Sequence, residues 1–184
     1  MNADQLIRAI ASGDRAAFAS LYRARYQTYV GYAAALLAGD RASAEDAVDE
    51  AFVDVWRSAA SYTGTGHSAG LGEGWLRRIV RNKAIDLLRK RREVLSEDPW
   101  QVSGAASAAS AEPSPFDLVS AQGDSAALRT ALAKLAPEQR EAVWLCYFEE
   151  LPLREIAAIA GCPENTVKTR LFHARQKLRV SMAA

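Results

Sequence analysis

Apolar residues recur at intervals of three and four through most of this chain, and this spacing puts them on one face of an α-helix. The pattern predicts long helices over residues 14–37, 43–58 and 74–92, and shorter helices from residue 124 onward. It is cleanest in 43–58, where one face combines Ala44, Ala47, Val48, Ala51, Phe52, Val55 and Trp56. Ser43, followed three residues later by Asp46, resembles a capping box at the start of that helix. The chain is therefore predicted to be all-α.

Residues 93–123 interrupt this pattern. They are rich in Ala, Ser and Pro, contain five acidic residues and no Lys or Arg, and show no helical periodicity. Such a composition is typical of an extended or disordered linker. We therefore predict two helical domains, residues 1–92 and 124–184, joined by a flexible linker. With 184 residues the chain allows one or two domains, and 49% hydrophobic with 24% charged residues is ordinary for a globular protein that buries a core.

The segment 151–179 has the pattern of a helix-turn-helix within the C-terminal four-helix domain. Two short amphipathic helices are separated only by Gly161-Cys162-Pro163, where glycine ends the first helix and proline begins the second. The apolar stripe of the second helix consists of Val167, Leu171, Ala174 and Leu178. A tight glycine-containing turn before a basic second helix is typical of DNA-binding proteins.

The opposite face of that second helix is polar except for one aromatic residue. It carries Asn165, Lys168, Thr169, Phe172, His173 and Gln176. Core packing does not explain Phe172 on this face, whereas contact with thymine methyl groups in a major groove does. The alternative is an ordinary solvated face on the terminal helix of an all-α protein.

The formal net charge is only +1, but the charges are segregated along the chain. Residues 77–92 contain eight Lys and Arg and a single acid, Asp86. One continuous arc of the predicted helix carries Arg77, Arg78, Arg81, Asn82 and Arg89. Contact with DNA phosphates explains this excess of cations better than solubility does.

An acidic helix precedes this basic one. The polar face of 43–58 carries Glu45, Asp46, Asp49, Glu50 and Asp54. It is either a solvated face or a docking surface for a basic partner, and the neighbouring basic helix favours docking. A metal site is less favoured because no His or Cys lies nearby in the sequence.

A glycine-rich loop over residues 61–74 connects the two helices and is flanked by Tyr62 and Trp75. It lacks the spacing of a phosphate-binding loop. It is either a plain linker or a segment that becomes ordered on a partner, for example by stacking on an unpaired base.

Neither the cysteines nor the aromatic residues indicate a cofactor or a metal. Cys146 and Cys162 lack metal-site and CxxC spacing and are interpreted as buried residues in a reducing compartment. The stripe of residues 14–37, with Phe18, Leu21, Tyr22, Tyr26 and Tyr29, is interpreted as core. The N-terminal segment has no signal-peptide hydrophobic run, and no span approaches transmembrane length. We therefore expect a soluble, cytoplasmic protein.

Four segments together resemble the extracytoplasmic-function (ECF) sigma factors, the small type of bacterial RNA polymerase sigma subunit. They are DRAAFASLYRARY, AEDAVDEAFVDVWRS, WLRRIVRNKAIDLLRKRR and LAPEQREAVWLCYFEELPLREIAAIAGCPENTVKTRLFHARQKLR. Each is weakly diagnostic alone, but their order and spacing make the resemblance specific, and it covers most of both domains. It implies a sigma factor that binds core RNA polymerase, directs it to promoters and helps to melt the −10 region.

The resemblance also implies which residues carry these roles. Polymerase binding falls on Asp46, Asp49, Glu50, Phe52 and Trp56. Contact with the −10 region falls on Tyr62, Trp75, Arg77, Arg78, Arg81, Asn82, Lys83, Asp86 and Arg89. Contact with the −35 region falls on Asn165, Thr166, Lys168, Thr169, Arg170, Phe172, His173 and Arg175. The polymerase supplies the catalysis, so no enzyme activity is implied, and an anti-sigma factor is a further implied partner.

Two other interpretations remain open from the residues themselves. A stand-alone helix-turn-helix transcriptional regulator would bind an operator without polymerase, and a gel shift separates it from a sigma factor. A metal-dependent nuclease would use the acids of residues 46–54, but these lie along a helix exterior with no convergent partner.

Overall fold

A computed structural model describes residues 2–64, 71–97 and 125–182 of the chain. Within these ranges all regular secondary structure is helical, which confirms the predicted all-α fold with two helical domains. The N-terminal domain contains α1 (Ala3–Ala11), α2 (Arg15–Leu36), α3 (Arg41–Ser58), a 3-10 turn (Ala59–Ser61) and α4 (Leu71–Glu97). The C-terminal domain contains α5 (Ser125–Ala133), α6 (Pro137–Tyr147), α7 (Leu153–Ala160) and α8 (Glu164–Met182). Helix α4 extends into the segment predicted as linker, and the rest of that linker lies outside the described residues.

Aspartate side chains fix where two long helices of the N-terminal domain begin. Asp14 caps α2 by accepting from the N–H groups of Ala16 and Ala17 at 2.8 and 3.0 Å. The prediction that Ser43 starts α3 is wrong, because Asp40 caps that helix and accepts from the Ser43 N–H at 3.1 Å. A carboxylate at the N-cap satisfies a backbone N–H that has no partner within the helix, and it interacts favourably with the helix dipole.

The first helix, α1, is not among the helices predicted from the sequence. Its side chains Leu6, Ile7 and Ile10 are buried, and the helix packs against α2 and α4. A capping box starts it: the Gln5 N–H donates to Asn2 Oδ1 at 2.9 Å, and the Asn2 N–H donates to Gln5 Oε1 at 3.0 Å. Both signals, the cap and the apolar spacing, are present in the sequence.

Helix α4 begins at Leu71, so the prediction of a loop through residue 74 is wrong for its last residues. Gly72 is buried, and a Cβ there would lie 2.9 Å from the backbone N of Asp4 and 3.0 Å from the carbonyl carbon of Ala3. The glycine lets α4 pass this close to α1, which offsets its ordinary cost in a helix. Residues 65–70 of the predicted loop lie outside the described residues.

Helix α2 is the centre of the N-terminal domain, since α1, α3 and α4 all pack on it, and α6 of the other domain does so as well. The α2 side chains Tyr29 and Tyr32 are almost fully buried, which confirms the interpretation of Tyr29 as core. The Tyr29 hydroxyl donates to Glu73 Oε2 at 2.9 Å. Burial raises the pKa of both phenols well above its usual value.

The C-terminal domain ends in the predicted helix-turn-helix, formed by α7 and α8. Gly161 ends α7 in the left-handed conformation at φ +64°, where a side chain would be strained. Val167, Leu171 and Ala174 of α8 are buried, which confirms the predicted stripe at these positions.

Candidate nucleic-acid and protein-binding surfaces

Helix α8 presents a row of exposed side chains on the side away from its core, as the sequence pattern predicts. They are Asn165, Lys168, Thr169, Phe172, His173 and Gln176. Phe172 is 55% exposed, and its ring meets the ring of His173 edge-on with centroids 5.5 Å apart. The apolar ring is therefore held at the surface, where it is available to a partner.

Three other members of the predicted −35 set are hydrogen-bonded within their own domain or half-buried. Arg170 Nη1 donates to Cys162 Sγ at 3.6 Å, and Arg175 Nε donates to the Leu171 carbonyl at 3.3 Å. Thr166 is half-buried. The five remaining members, which we call the α8 row, are Asn165, Lys168, Thr169, Phe172 and His173; all five are exposed, as is Arg175.

Two arginines of the predicted cationic arc on α4 face the C-terminal domain. Arg77 Nη2 lies 2.5 Å from Glu149 Oε2, and Arg81 Nε lies 2.6 Å from Glu141 Oε1. The arginine side chains are only 13% and 18% exposed, and that of Glu141 is 1% exposed. The arc is continuous in the sequence, but this end of it is covered in the folded chain.

Burial and ion pairing act in opposite directions on these two guanidinium groups. Desolvation lowers the pKa of Arg77 and of Arg81, but the carboxylates of Glu149 and Glu141 outweigh it and leave both pKa values raised. Arg78 lies between them in the sequence and is exposed. Its Nη2 donates to the Ala158 carbonyl of α7 at 2.6 Å. All three side chains are thus engaged by the C-terminal domain.

The far side of α4 borders an open groove of about 330 Å³ between α3 and α4. It is lined by Asp54, Arg57, Ser58, Ile79, Asn82, Lys83 and Asp86. The predicted −10 residues Asn82, Lys83 and Asp86 thus share one site, separate from the covered arginines. Lys83 Nζ bridges Asp54 and Glu50 of α3 at 2.8 and 3.5 Å, which holds the two walls of the groove together.

Tyr62 and Trp75 pack against each other at the base of the glycine-rich segment, with ring centroids 5.3 Å apart. The Tyr62 hydroxyl donates to Asp4 of α1. Burial and this carboxylate raise the pKa of Tyr62 to about 12. Both rings are half-buried.

The polar face of α3 carries the residues predicted to bind polymerase. Asp46, Asp49 and Glu50 are exposed. Trp56 is 38% exposed, so its assignment to the buried stripe is wrong. Phe52 is 2% exposed and supports this face from inside the core, which contradicts its prediction as a direct contact.

Helix α2 extends this face with aromatic residues that the sequence analysis assigned to the core. Phe18, Tyr22 and Tyr26 are only half-buried. The Phe18 ring meets Trp56 edge-on at 5.4 Å, and the Tyr22 hydroxyl donates to Asp49 Oδ1 at 3.0 Å. Burial and the Asp49 carboxylate raise the pKa of Tyr22. We call the combined area, formed by Phe18, Tyr22, Tyr26, Asp46, Asp49, Glu50 and Trp56, the α2–α3 surface.

Two residues between the domains, Arg140 and Glu141, are 7% and 1% exposed and are not among the site residues predicted from the sequence. A signal was present, because each precedes an apolar residue of α6, Val143 or Leu145, by three or four positions. Charged residues at core-facing positions indicate a buried polar contact.

The part of the chain that the structure describes contains no group of three or more His, Cys, Asp or Glu residues placed to hold a metal ion. Among the helices in that part, none is long and apolar enough to cross a membrane.

Two sequence families match the two domains. The family described as Sigma-70 region 2 matches residues 21–94, and Sigma-70 region 4 matches residues 125–178. The chain is 36% identical to the ECF RNA polymerase sigma factor SigE of Mycolicibacterium smegmatis, over 94% of this chain and 65% of that protein. It is 32% identical to the ECF RNA polymerase sigma factor RpoE of Cereibacter sphaeroides, over 97% of this chain and 93% of that protein.

Solved structures agree with these sequence matches. The sigma factor RpoE in complex with the anti-sigma factor NepR from Bartonella quintana matches with a TM-score of 0.69 and 26% identity, covering 91% of this chain and 97% of that one. CnrH in complex with the cytosolic domain of CnrY matches with a TM-score of 0.66 and 26% identity, covering 99% of this chain and 98% of that one. The chain therefore belongs to the extracytoplasmic-function family of RNA polymerase sigma factors.

Proposed function

We propose that this chain acts in the cytoplasm, where it binds core RNA polymerase, directs it to specific promoters and helps to open the −10 region. One observation carries the proposal: the exposed α8 row and the α2–α3 surface coexist in one chain on different domains. A regulator that binds DNA without polymerase needs a DNA-binding row such as the α8 row, but it does not need a polymerase-binding surface such as the α2–α3 surface. The polymerase performs the reaction, so the chain has no enzyme activity and needs no cofactor.

The α8 row is assigned to the −35 region. In a helix-turn-helix the second helix enters the major groove with its N-terminal part toward the base edges. Lys168 suits a phosphate or a guanine edge, and Phe172 suits a thymine methyl group. His173 is exposed beside Phe172 and provides a nitrogen for a phosphate or a base.

The groove between α3 and α4 is assigned to the −10 region. Asn82 offers both a donor and an acceptor to a base, while Lys83 supplies a positive charge beside it. Arg89 is 69% exposed and suits the backbone of the same strand. Tyr62 and Trp75, whose rings pair with each other, are assigned to the same region.

The α2–α3 surface is assigned to core polymerase. It combines three exposed acids with the partly exposed rings of Trp56 and Tyr22, and protein interfaces are enriched in such aromatic residues. We thus assign residues 1–92 to binding of polymerase and the −10 region. Residues 93–123 are assigned as the linker between the domains, and residues 124–184 to binding of the −35 region. By analogy with the RpoE that was solved with NepR, we also propose an anti-sigma partner.

In vitro transcription tests this function directly. Core polymerase, the purified chain and a library of promoter fragments should yield specific transcripts that are absent without the chain. A gel shift on a selected promoter should need both proteins. Tight, specific binding by the chain alone would favour the stand-alone regulator instead.

Replacing Phe172 by alanine should lower transcription from a selected promoter and relax the preference at one −35 base pair by about 1–3 kcal/mol. Lys168→Ala should instead weaken binding to all sequences and reduce the salt slope by about 1. Transcription from a set of point-mutated promoters measures both effects. Gln176→Ala, on the same exposed face, is the matched control, and an equal loss of preference in this control would remove the role of Phe172.

A further inference from the structure

Asp54 lies in the groove between α3 and α4, yet it is not among the residues to which the family resemblance assigns a contact. Its side chain is half-buried, and its Oδ2 lies 2.8 Å from Lys83 Nζ. Glu50, one turn earlier on α3, lies 3.5 Å from the same nitrogen. The hydrogen bond to Asp54 outweighs burial and raises the pKa of Lys83, so the lysine stays charged. Asp54 and Lys83 therefore form an ion pair in the lining of the groove.

The charges that line this groove cancel. The lining contains two acids, Asp54 and Asp86, and two cations, Arg57 and Lys83. Arg57 Nη1 also lies 4.0 Å from Asp54 Oδ1. A DNA phosphate binds where positive charge is in excess, and this lining has no such excess. The groove therefore suits a neutral polar ligand better than it suits the backbone of a DNA strand.

An unpaired DNA base is a ligand of this kind, since it is neutral, flat and edged with donors and acceptors. The groove volume of about 330 Å³ is at the lower end of the range for small-ligand sites, about 300–1,000 Å³. Ile79 contributes apolar surface for the face of a base. The exposed amide of Asn82 can donate to its edge or accept from it.

The carboxylate of Asp54 can distinguish bases by their exocyclic groups, because an ionised carboxylate only accepts hydrogen bonds. Cytosine, adenine and guanine each carry an amine that protrudes from the ring and donates. Thymine has no amine, and its ring N–H lies between two carbonyl oxygens, which a carboxylate repels. Asp54 has lone pairs beyond the one directed at Lys83, so it can accept from an amine while the ion pair stays formed.

We propose that Asp54 is a specificity-determining residue of the groove: it accepts from the exocyclic amine of one unpaired base and disfavours thymine at that position. Lys83 is the positioning residue, which holds the carboxylate in place and offsets its charge. The inference rests on the proposed function, which assigns the groove to the −10 region. The occupant is thus a base of single-stranded DNA that carries an amine.

Binding of single-stranded oligonucleotides to core polymerase assembled with the full chain tests this role. The oligonucleotides carry the −10 sequence of a promoter selected by in vitro transcription, with each position changed in turn to each of the four bases. Fluorescence anisotropy gives the affinities. At one position thymine should bind about tenfold more weakly than the preferred base. Asp54→Asn should reduce this ratio to less than about twofold, because an amide can turn and donate to a thymine carbonyl.

A change in the base tests the same contact without altering the protein. Uracil replaces the amine of cytosine by an oxygen, and purine lacks the amine of adenine. Hypoxanthine lacks the amine of guanine. At the selective position this change should cost the unmodified chain about tenfold in affinity, and it should cost Asp54→Asn little. If circular dichroism shows that Asp54→Asn is unfolded, the unmodified chain still decides, since full affinity for the base without its amine would rule the contact out.

Glu45→Gln is the matched control, because it removes the same charge from α3 at an acid that also has a cationic partner, Arg41 at 2.8 Å. It should leave the base preference unchanged. If Asp54→Asn bound all oligonucleotides more tightly with its preference intact, Asp54 would only screen Lys83 from phosphates, and the proposal would be wrong. A uniform loss of affinity would likewise reduce Asp54 to a structural residue. Chain-dependent transcripts without any discrimination against thymine would remove this inference and leave the proposed function standing.

Discussion

Replacing Arg140 by methionine is expected to destabilise the folded chain by about 3 kcal/mol or more. The buried guanidinium donates to four carbonyls, those of Ala35, Leu36, Ala133 and Leu135, at 2.8, 2.7, 3.1 and 2.6 Å. Methionine preserves much of the volume but leaves all four without this donor. Each buried unsatisfied carbonyl costs about 1–3 kcal/mol.

At the end of α2 the Gly39 N–H already bonds to Ala34 and the Asp40 N–H to Leu37, so neither of these can replace the guanidinium as a donor to Ala35 and Leu36. Urea unfolding followed by circular dichroism measures the loss. Arg154→Met, at an exposed position of α7, should change stability by less than about 0.5 kcal/mol. The stability of Arg140→Lys should lie between the stabilities of the two methionine variants, since an ammonium group cannot reach all four carbonyls. Equal stability of the two methionine variants would contradict this account of Arg140.

Combining Trp56→Ala with Asp49→Asn should weaken binding to core polymerase by at least about 30-fold, which corresponds to roughly 2 kcal/mol. Trp56 is the partly exposed ring at the edge of the aromatic cluster, and truncating such an anchor removes apolar contact area. Asp49 supplies charge beside it and orients Tyr22. Asparagine keeps an acceptor for the Tyr22 hydroxyl, so the change mainly removes the charge.

Binding of a labelled chain to core polymerase, measured by fluorescence anisotropy, gives the affinity. Val180→Ala truncates another exposed apolar side chain, 72% exposed near the end of α8, and should leave the affinity within about twofold. Equal affinities of the two variants for core polymerase would show that polymerase does not bind at the α2–α3 surface.

Local patterns determined most of the secondary structure and one of the candidate sites. The spacing of apolar residues predicts α2, α3, α4 and the helix-turn-helix, because helical periodicity depends only on neighbours within a few turns. For the same reason it identifies the exposed residues of the α8 row. Gly161 ends α7 for a local conformational reason, which sequence also reveals.

Local patterns do not predict which charged residues of α4 are exposed and which are covered. Their spacing in the sequence is enough to predict that Arg77 and Arg81 lie on one side of a helix and carry positive charge. The fold, and not the local pattern, covers both side chains, because their partners Glu149 and Glu141 are 72 and 60 residues away in the chain. It also decided that Arg140 is buried and that Gly72 is a packing position. Burial is a property of what meets a side chain from distant segments, whereas helical periodicity is a property of the segment alone.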